Sequence, residues 1–361
     1  MKITGVKTRV VDLPFDKPIT TAIHDMRSVG CVLLFIETDE GLVGESYAFT
    51  LNCVRIKAFN EMINGFNHLL IGKDPTSVTA ITEAIWREIN PTGYQGVTIS
   101  ALSAINTALW DLVGKIADLP LHRVFGACRD SVKTYASGGL WLSQSIDELV
   151  AEAQAFIAQG FRSMKIRVGS ESNLQDVERV RAVREAVGDD IELLADANQA
   201  FTAKDAIRLG RLLEEFKLGW LEEPVNVNDI QGHADVRRAL DMPIATGETV
   251  YTRYGMRPLI EQRCADVLMP DLQRIGGLTE MQRVCALAST FDIPISTHIF
   301  TEQSLSIAGS ASNCISVEHM PWFSPLFNEQ ISIVNGSIAI PERPGTGFTF
   351  SQETISRYRV D

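Results

Sequence analysis

The spacing of hydrophobic and polar positions changes three times along the chain. Up to about residue 50 there are three alternating, β-branched runs, ITGVKTRVVDL, CVLLFIETD and LVGESYAF, and the turn Asp39-Glu40-Gly41 joins the last two, which predicts a strand meander. From about 54 to 125 apolar residues recur three and four apart, most clearly in ISALSAINTALWDLVGKIADLPL, where Pro120 stops the pattern. That spacing predicts helices, so the opening third reads as an α+β unit. From about 130 onward eight short β-rich runs alternate with mostly helix-length segments: VKTYAS, SMKIRV, IELLAD, LGWLEE, PIATGE, ADVLMP, PISTHI and CISVEH. Eight such steps predict a closed (β/α) barrel in preference to an open sheet. No helix pattern follows VEHMP; the tail WFSPLFNEQISIVNGSIAIPERPGTG reads as irregular chain and hairpin strands that can return to the N-terminal unit and cover the barrel.

Composition narrows the class. The chain has 361 residues, 45% of them hydrophobic, enough for a large core, and no apolar run reaches the roughly 18 to 20 residues of a membrane span. The N-terminus alternates like a strand and does not read as a secretion signal. Six cysteines are scattered without a C-x-x-C pair, which fits a reducing cytoplasm. The formal charge of −12 argues against a nucleic-acid partner, which needs a cationic footprint. Neither membrane nor nucleic acid is expected as a partner, and any anionic substrate must find local positive groups.

Three acids stand 26 residues apart in succession: Asp196 in LLADANQ, Glu222 in WLEEP and Glu248 in ATGET. Each follows an apolar run, and the interval suits one strand-helix-strand step, so the carboxylates recur at the same end of successive parallel strands. Any one of them reads equally as a helix cap. In phase, they form a hard oxygen site suited to Mg²⁺. One strand earlier, Lys165 and Arg167 lie two apart and share a face; alone they read as a solvated strand-end pair. The adjacent guanidinium lowers the amine's pKa and nearby carboxylates oppose it; beside a fixed guanidinium and a bound metal, Lys165 is expected to be neutral often enough to act as a base. Asp271 after VLMP and His298 after PIST occupy neighbouring strand ends and predict a carboxylate–imidazole dyad. Glu318 in SVEHMP can donate a proton or hydrogen bond to a substrate carboxylate. Asn198 and Ser137 read equally as substrate contacts or as cap and turn residues.

A metal held by three acids can chelate a carboxylate and its α-hydroxyl, acidify the α-hydrogen and stabilise the enediolate left behind. Lys165 and His298 on opposite sides then give racemisation if the second base returns a proton. Expulsion of a β-hydroxyl gives dehydration.

These motifs together, MKIR, ADANQ, LEEP, GET, MPDLQRIGG, STHIF and VEHM, closely resemble those of the enolase superfamily, specifically its mandelate racemase subgroup, over essentially the whole chain. The resemblance implies a (β/α)₇β TIM-like barrel (126–320), an N-terminal α+β capping domain (1–125), and a C-terminal segment (321–361) that completes the cap. It also implies Mg²⁺ as cofactor, a Lys or His base and a homo-oligomer. Two departures stand out. Arg167 replaces the second lysine of a Lys-x-Lys pair and cannot carry a proton. Where muconate-lactonising members place a lysine at the sixth strand end, this chain has Asp271, with His298 on the next strand. In this family a loop after the first strand reaches over the barrel mouth; here it reads TTAIHDMRSVG. His24, Asp25 and Arg27 there suit hydroxyls or a distal carboxylate, or are simply solvent-exposed. The expectation is an acid-sugar dehydratase acting on a small 2-hydroxy carboxylate. The alternatives are a racemase or epimerase using the same residues, and an inactive metal- and anion-binding protein.

Overall fold

The computed structural model describes residues 1–360. The alternating N-terminal runs form an antiparallel sheet, β1 (Ile3–Thr20), β2 (Asp25–Thr38) and β3 (Val43–Leu51), in that order. Its first two strands are longer than their apolar runs. Pairing continues through Ile19↔Met26 and Thr20↔Asp25, and the Thr21 N–H donates to the His24 carbonyl at 2.9 Å. The segment TTAIHDMRSVG is therefore a hairpin tip and not the open loop its sequence suggested, because the buried Ile19 and Met26 hold the strands together.

Helices α1 (Ile56–Gly65), α2 (Asn67–Leu70), α3 (Val78–Glu88), α4 (Val97–Ala117) and α5 (Leu121–Val124) complete the cap. Among the described residues α4 is the helix long and apolar enough to cross a membrane by length and composition, so the expectation that no such segment exists does not hold. The protein itself covers it: Ile99, Leu102, Ile105, Ala108, Leu109 and Leu112 are buried against the N-terminal sheet and its neighbouring helices. A helix that is apolar nearly all round marks a core position.

The eight β-rich runs close a parallel barrel: β4 (Ser131–Ala136), β5 (Ser163–Arg167), β6 (Glu192–Asp196), β7 (Leu221–Glu222), β8 (Ile244–Thr246), β9 (Val267–Leu268), β10 (Ile295–Thr297) and β11 (Cys314–His319), with β11 paired back onto β4. The intervening helices are α6 (Ile146–Ala158), α7 (Asn173–Val187), α8 (Ala203–Leu213), α9 (Ile230–Ala239), α10 (Thr252–Glu261), α11 (Leu272–Ile275), α12 (Leu278–Ser289) and α13 (Thr301–Ala308). After β11 a 3₁₀ turn over Pro321–Leu326 stands where an eighth helix would begin.

The hairpin β12 (Ile333–Val334) and β13 (Ser337–Ala339) pairs with the Ser131–Lys133 end of β4. The hairpin thus extends the barrel sheet, and the tail touches the cap on either side of it. Phe350 donates its N–H to Glu45 Oε1 at 3.2 Å and packs edge-on against Phe35, and a bridge joins Val11 to Arg359 across the short helix α14 (Gln352–Tyr358). Cap and barrel meet in an aromatic cluster in which Tyr47 stacks on Phe300 at 4.8 Å and Phe49 meets Phe323 edge-on at 5.1 Å. Truncating a buried ring such as Phe323 to alanine costs about 3–5 kcal/mol, which makes this cluster the main apolar seal of the site.

Candidate active site

Along β5 the side chains alternate. Met164 and Ile166 enter the apolar layer under the helices, while Lys165 and Arg167 turn into the barrel. Lys165 is 1% exposed, and its Nζ lies 2.7 Å from Glu222 Oε1, 2.9 Å from Glu318 Oε1 and 3.5 Å from Asp196 Oδ2. Burial alone would lower this amine's pKa, but Glu222, Glu318, Tyr135 and Asp196 together hold it well above the ordinary lysine value. The neutral amine expected from sequence requires a bound metal beside the guanidinium; the carboxylates by themselves act in the opposite direction. Arg167 lies over the Trp141 ring at 4.3 Å, donates to Ser137 Oγ at 3.0 Å and keeps its Nε 3.4 Å from Asp196 Oδ2.

Asp196 and Glu222 end β6 and β7 and face each other in register, and Glu248 follows β8 by two residues. All three offer hard carboxylate oxygens from consecutive strand ends, the donor chemistry that suits Mg²⁺. Asp196 and Glu248 face the cavity, and Glu222 lies beneath, between Lys165 and the Trp220 indole N–H, which donates to its Oε2 at 3.0 Å. The three carboxylates are not among the groups that bring one ligand atom from each residue within 4.8 Å of the others; among the described residues His122, Asp130 and Glu342 do so, elsewhere on the molecule.

His298 Nδ1 and Asp271 Oδ2 are 2.7 Å apart. Asp271 also caps α11, its Oδ1 accepting the Arg274 N–H at 2.8 Å, so one carboxylate both starts a helix and orients the imidazole. Burial would lower the imidazole pKa, but Glu248, Glu318 and Asp271 raise it to about 9. Immediately after His298, Ile299 and Phe300 have φ of 30° and 50°. A β-branched residue rarely adopts positive φ, and here the Ile299 N–H is drawn onto Glu318 Oε2 at 2.9 Å.

Glu318 differs from its expected role. It accepts from Lys165, from the Ser137 hydroxyl and from Ile299, and although burial pushes its carboxyl up, Lys165 and His298 hold it well below the ordinary range. In this arrangement its carboxylate oxygens accept hydrogen bonds. Ser137, expected to reach substrate, is buried and absent from the cavity wall, its hydroxyl spent between Glu318 and Arg167. Asn198 does line the cavity; its N–H and side-chain NH₂ both donate to Asp196, leaving its buried Oδ1 without a partner.

The cavity, about 110 Å³, has the barrel residues as its floor and cap residues as its roof. His24 and Met26 line it, but Asp25 and Arg27 do not, because β2 alternates and sends them outward. Asp25 accepts from Thr20, and the Arg27 N–H donates to Asn52. His24 is pushed below its ordinary pKa by burial and by Arg274. Sequence reasoning missed Trp141, Trp322, Gln199, Glu223, Thr249, Arg274 and Met320 in the wall. Glu223, the second acid of LEEP, has φ 38° and a carboxyl raised to about 8 by burial and by Glu248, with Thr249 and Gln199 donating to it. The doubled acid was the signal that could have exposed it.

Comparison with known proteins agrees with this geometry. Residues 3–126 match the mandelate racemase / muconate lactonizing enzyme N-terminal domain, and residues 148–354 match the enolase C-terminal domain-like family. The chain is 33% identical over 359 residues to L-talarate/galactarate dehydratase of Salmonella typhimurium, covering 98% of this chain and 90% of that protein. It is 30% identical over 381 residues to D-galactarolactone cycloisomerase of Agrobacterium fabrum, covering 100% and 99%. A racemase from Streptomyces coelicolor A3(2) with bound magnesium superposes with a TM-score of 0.96 at 31% identity, over 99% of this chain and 100% of that one. The K197A mutant of L-talarate/galactarate dehydratase, liganded with Mg and L-glucarate, gives 0.96 at 32% identity, over 100% and 92%. With both of its domains matched, the chain belongs to the enolase superfamily, in its mandelate racemase subgroup.

Proposed function

We propose that this protein is an Mg²⁺-dependent acid-sugar dehydratase, converting a 2-hydroxy carboxylate through an enediolate to a 2-keto-3-deoxy acid. The observation that carries the reading is the His298–Asp271 contact at 2.7 Å beside a lysine whose ammonium already faces three carboxylates. Asp271 orients the imidazole to move a proton, and the amine lies among carboxylates. Asp196, Glu222 and Glu248 are the residues to hold Mg²⁺, which when bound supplies Lewis-acid stabilisation of the substrate carboxylate and the developing enediolate.

His298 Nε2 takes the α-proton, Asp271 fixing the tautomer through Nδ1. The same imidazolium then gives that proton to the departing β-hydroxyl, so water leaves and the resulting enol becomes the 2-keto acid. The Lys165 ammonium and Arg167 supply positive charge at the substrate carboxylate, Glu318 anchors Lys165, Ser137 braces Arg167, and Asn198 Oδ1 is free to accept a substrate hydroxyl. Relatives named as dehydratases support this chemistry. A cytoplasmic homo-oligomer belongs to the same reading, the compartment being supported by six unpaired cysteines.

Racemisation is the second reading, favoured by the relative named L-Ala-D/L-Glu epimerase and by Lys165 and His298 reaching different oxygens of Glu318. A purely binding role would need neither base. Incubation with Mg²⁺ and a panel of sugar acids in D₂O, followed by proton NMR, separates the three. A 2-keto-3-deoxy product supports the dehydratase, α-deuteration with the skeleton intact supports the racemase, and no exchange with any acid removes both.

A further inference from the structure

The floor of the cavity reads the reacting end of the substrate, so the roof must read the other end. That roof is apolar. Ile23, Met26, Phe49 and Leu51 come from the cap, and Trp141 and Trp322, whose rings stack at 6.0 Å, close the side. The basic side chains that line the cavity, among the described residues, are His24, Lys165, Arg167, Arg274 and His298. Four of these come from the barrel and have partners on the floor. Lys165 faces Glu222, Glu318 and Asp196, and Arg167 lies on Trp141 with its hydrogen bonds to Ser137 and the Lys165 carbonyl. Arg274 donates to the Glu248 carbonyl at 2.9 Å, and His298 is held by Asp271. Arg27, near the tip of the cap hairpin, does not line the cavity. A second carboxylate at the far end of a substrate would therefore meet Ile23, Met26, Leu51 and two indoles on a roof that carries no guanidinium or ammonium, which is costly for a charged group.

Hydroxyl recognition is placed lower. Asn198 Oδ1 is buried and has no partner, and it sits beside Asp196 near the reacting carbons. On the roof only His24 offers ring nitrogens, since Thr21 Oγ1 already accepts from the N–H groups of Ile23 and His24.

From this division we infer that the substrate is a sugar monocarboxylate whose far end lacks oxygen, a deoxyaldonate, and not an aldarate with a carboxylate at each end. The inference rests on the dehydratase reading and adds the chemistry of the distal group. A terminal methyl fills the apolar roof, whereas a terminal hydroxymethyl enters it at the cost of an unpaired hydroxyl.

The test uses the Mg²⁺-loaded enzyme with matched triplets of acids that share configuration from C2 to C5 and differ only at C6: methyl, hydroxymethyl or carboxylate. For the configuration turned over best, kcat/KM is expected to be about tenfold to a hundredfold higher for the 6-deoxyaldonate than for the aldonate, and lower still for the aldarate. Met26→Gln, and independently Leu51→Gln should the first variant fold poorly, is expected to bring the methyl-to-hydroxymethyl ratio towards one. An aldarate turned over as well as or better than its deoxyaldonate overturns the inference while leaving the dehydratase reading standing. An unchanged ratio in a folded roof variant overturns it as well. No turnover and no α-deuteration with any acid would remove the dehydratase reading and this inference with it.

Discussion

Gln273 grips the peptide of Phe49 at both ends, its Oε1 accepting the Phe49 N–H at 2.7 Å and its Nε2 donating to the Phe49 carbonyl at 3.2 Å. Phe49 lines the cavity from cap strand β3, and Gln273 sits in α11 two residues after Asp271. A single side chain therefore ties the roof of the site to the short helix that orients the dyad.

Replacing it with leucine, Gln273→Leu, keeps the volume but strands two buried backbone groups. Each costs about 1–3 kcal/mol when unsatisfied. The variant is expected to lose roughly 2 kcal/mol or more in urea unfolding and to raise KM more than it lowers kcat, because the roof loosens while the floor is untouched. Unchanged stability and KM would show that the clamp does nothing.

Asp271→Asn keeps the shape of the dyad and removes its charge. The imidazole, raised to about 9 in part by Asp271, must then fall. A base works in its neutral form, so turnover rises as pH climbs through the imidazole pKa. In the variant that rise is expected at lower pH, with kcat down about 10²- to 10⁴-fold. A pH–rate profile that does not move would take Asp271 out of the dyad.

Chelation of the divalent cation is expected to abolish turnover and added Mg²⁺ to restore it. Glu222→Gln should lower Mg²⁺-dependent turnover by at least about a thousandfold while the fold survives, since Lys165 keeps Glu318 at 2.9 Å. Circular dichroism checks the fold and calorimetric titration the Mg²⁺ affinity. Wild-type affinity in the variant would remove Glu222 from the ligand set.

Glu302, buried in α13, accepts from the Ser324 hydroxyl through Oε1 at 3.3 Å while its Oε2 has no partner, and burial raises its carboxyl to about 7. Because the folded value lies above the ordinary carboxylate one, the folded protein binds more protons than the unfolded chain in between. This group's contribution to stability therefore falls as pH rises from about 4.5 to 7 and is flat above. Glu302→Gln is expected to remove that slope and to gain roughly 2–3 kcal/mol at pH 8. Parallel urea-unfolding curves for the two proteins from pH 5 to 8 would reject it.

The eight barrel strands and the candidate chemistry of their ends were legible in the sequence because buried parallel strands must be apolar and an acid or base directly after such a run lands at the strand's mouth. That logic placed Lys165, Asp196, Glu222, Glu248, Asp271 and His298 at one end of one barrel, since each position follows from local periodicity alone. What periodicity does not encode is how each charge is shared. The tertiary structure alone turned Lys165 towards three carboxylates, made Glu318 an acceptor, spent Ser137 between Glu318 and Arg167, and aimed Arg27 away from the cavity. The reason is physical: a side chain's pKa and its reach depend on neighbours brought from distant strands, and which of two adjacent cap residues faces the cavity depends on where the β1–β2 hairpin closes.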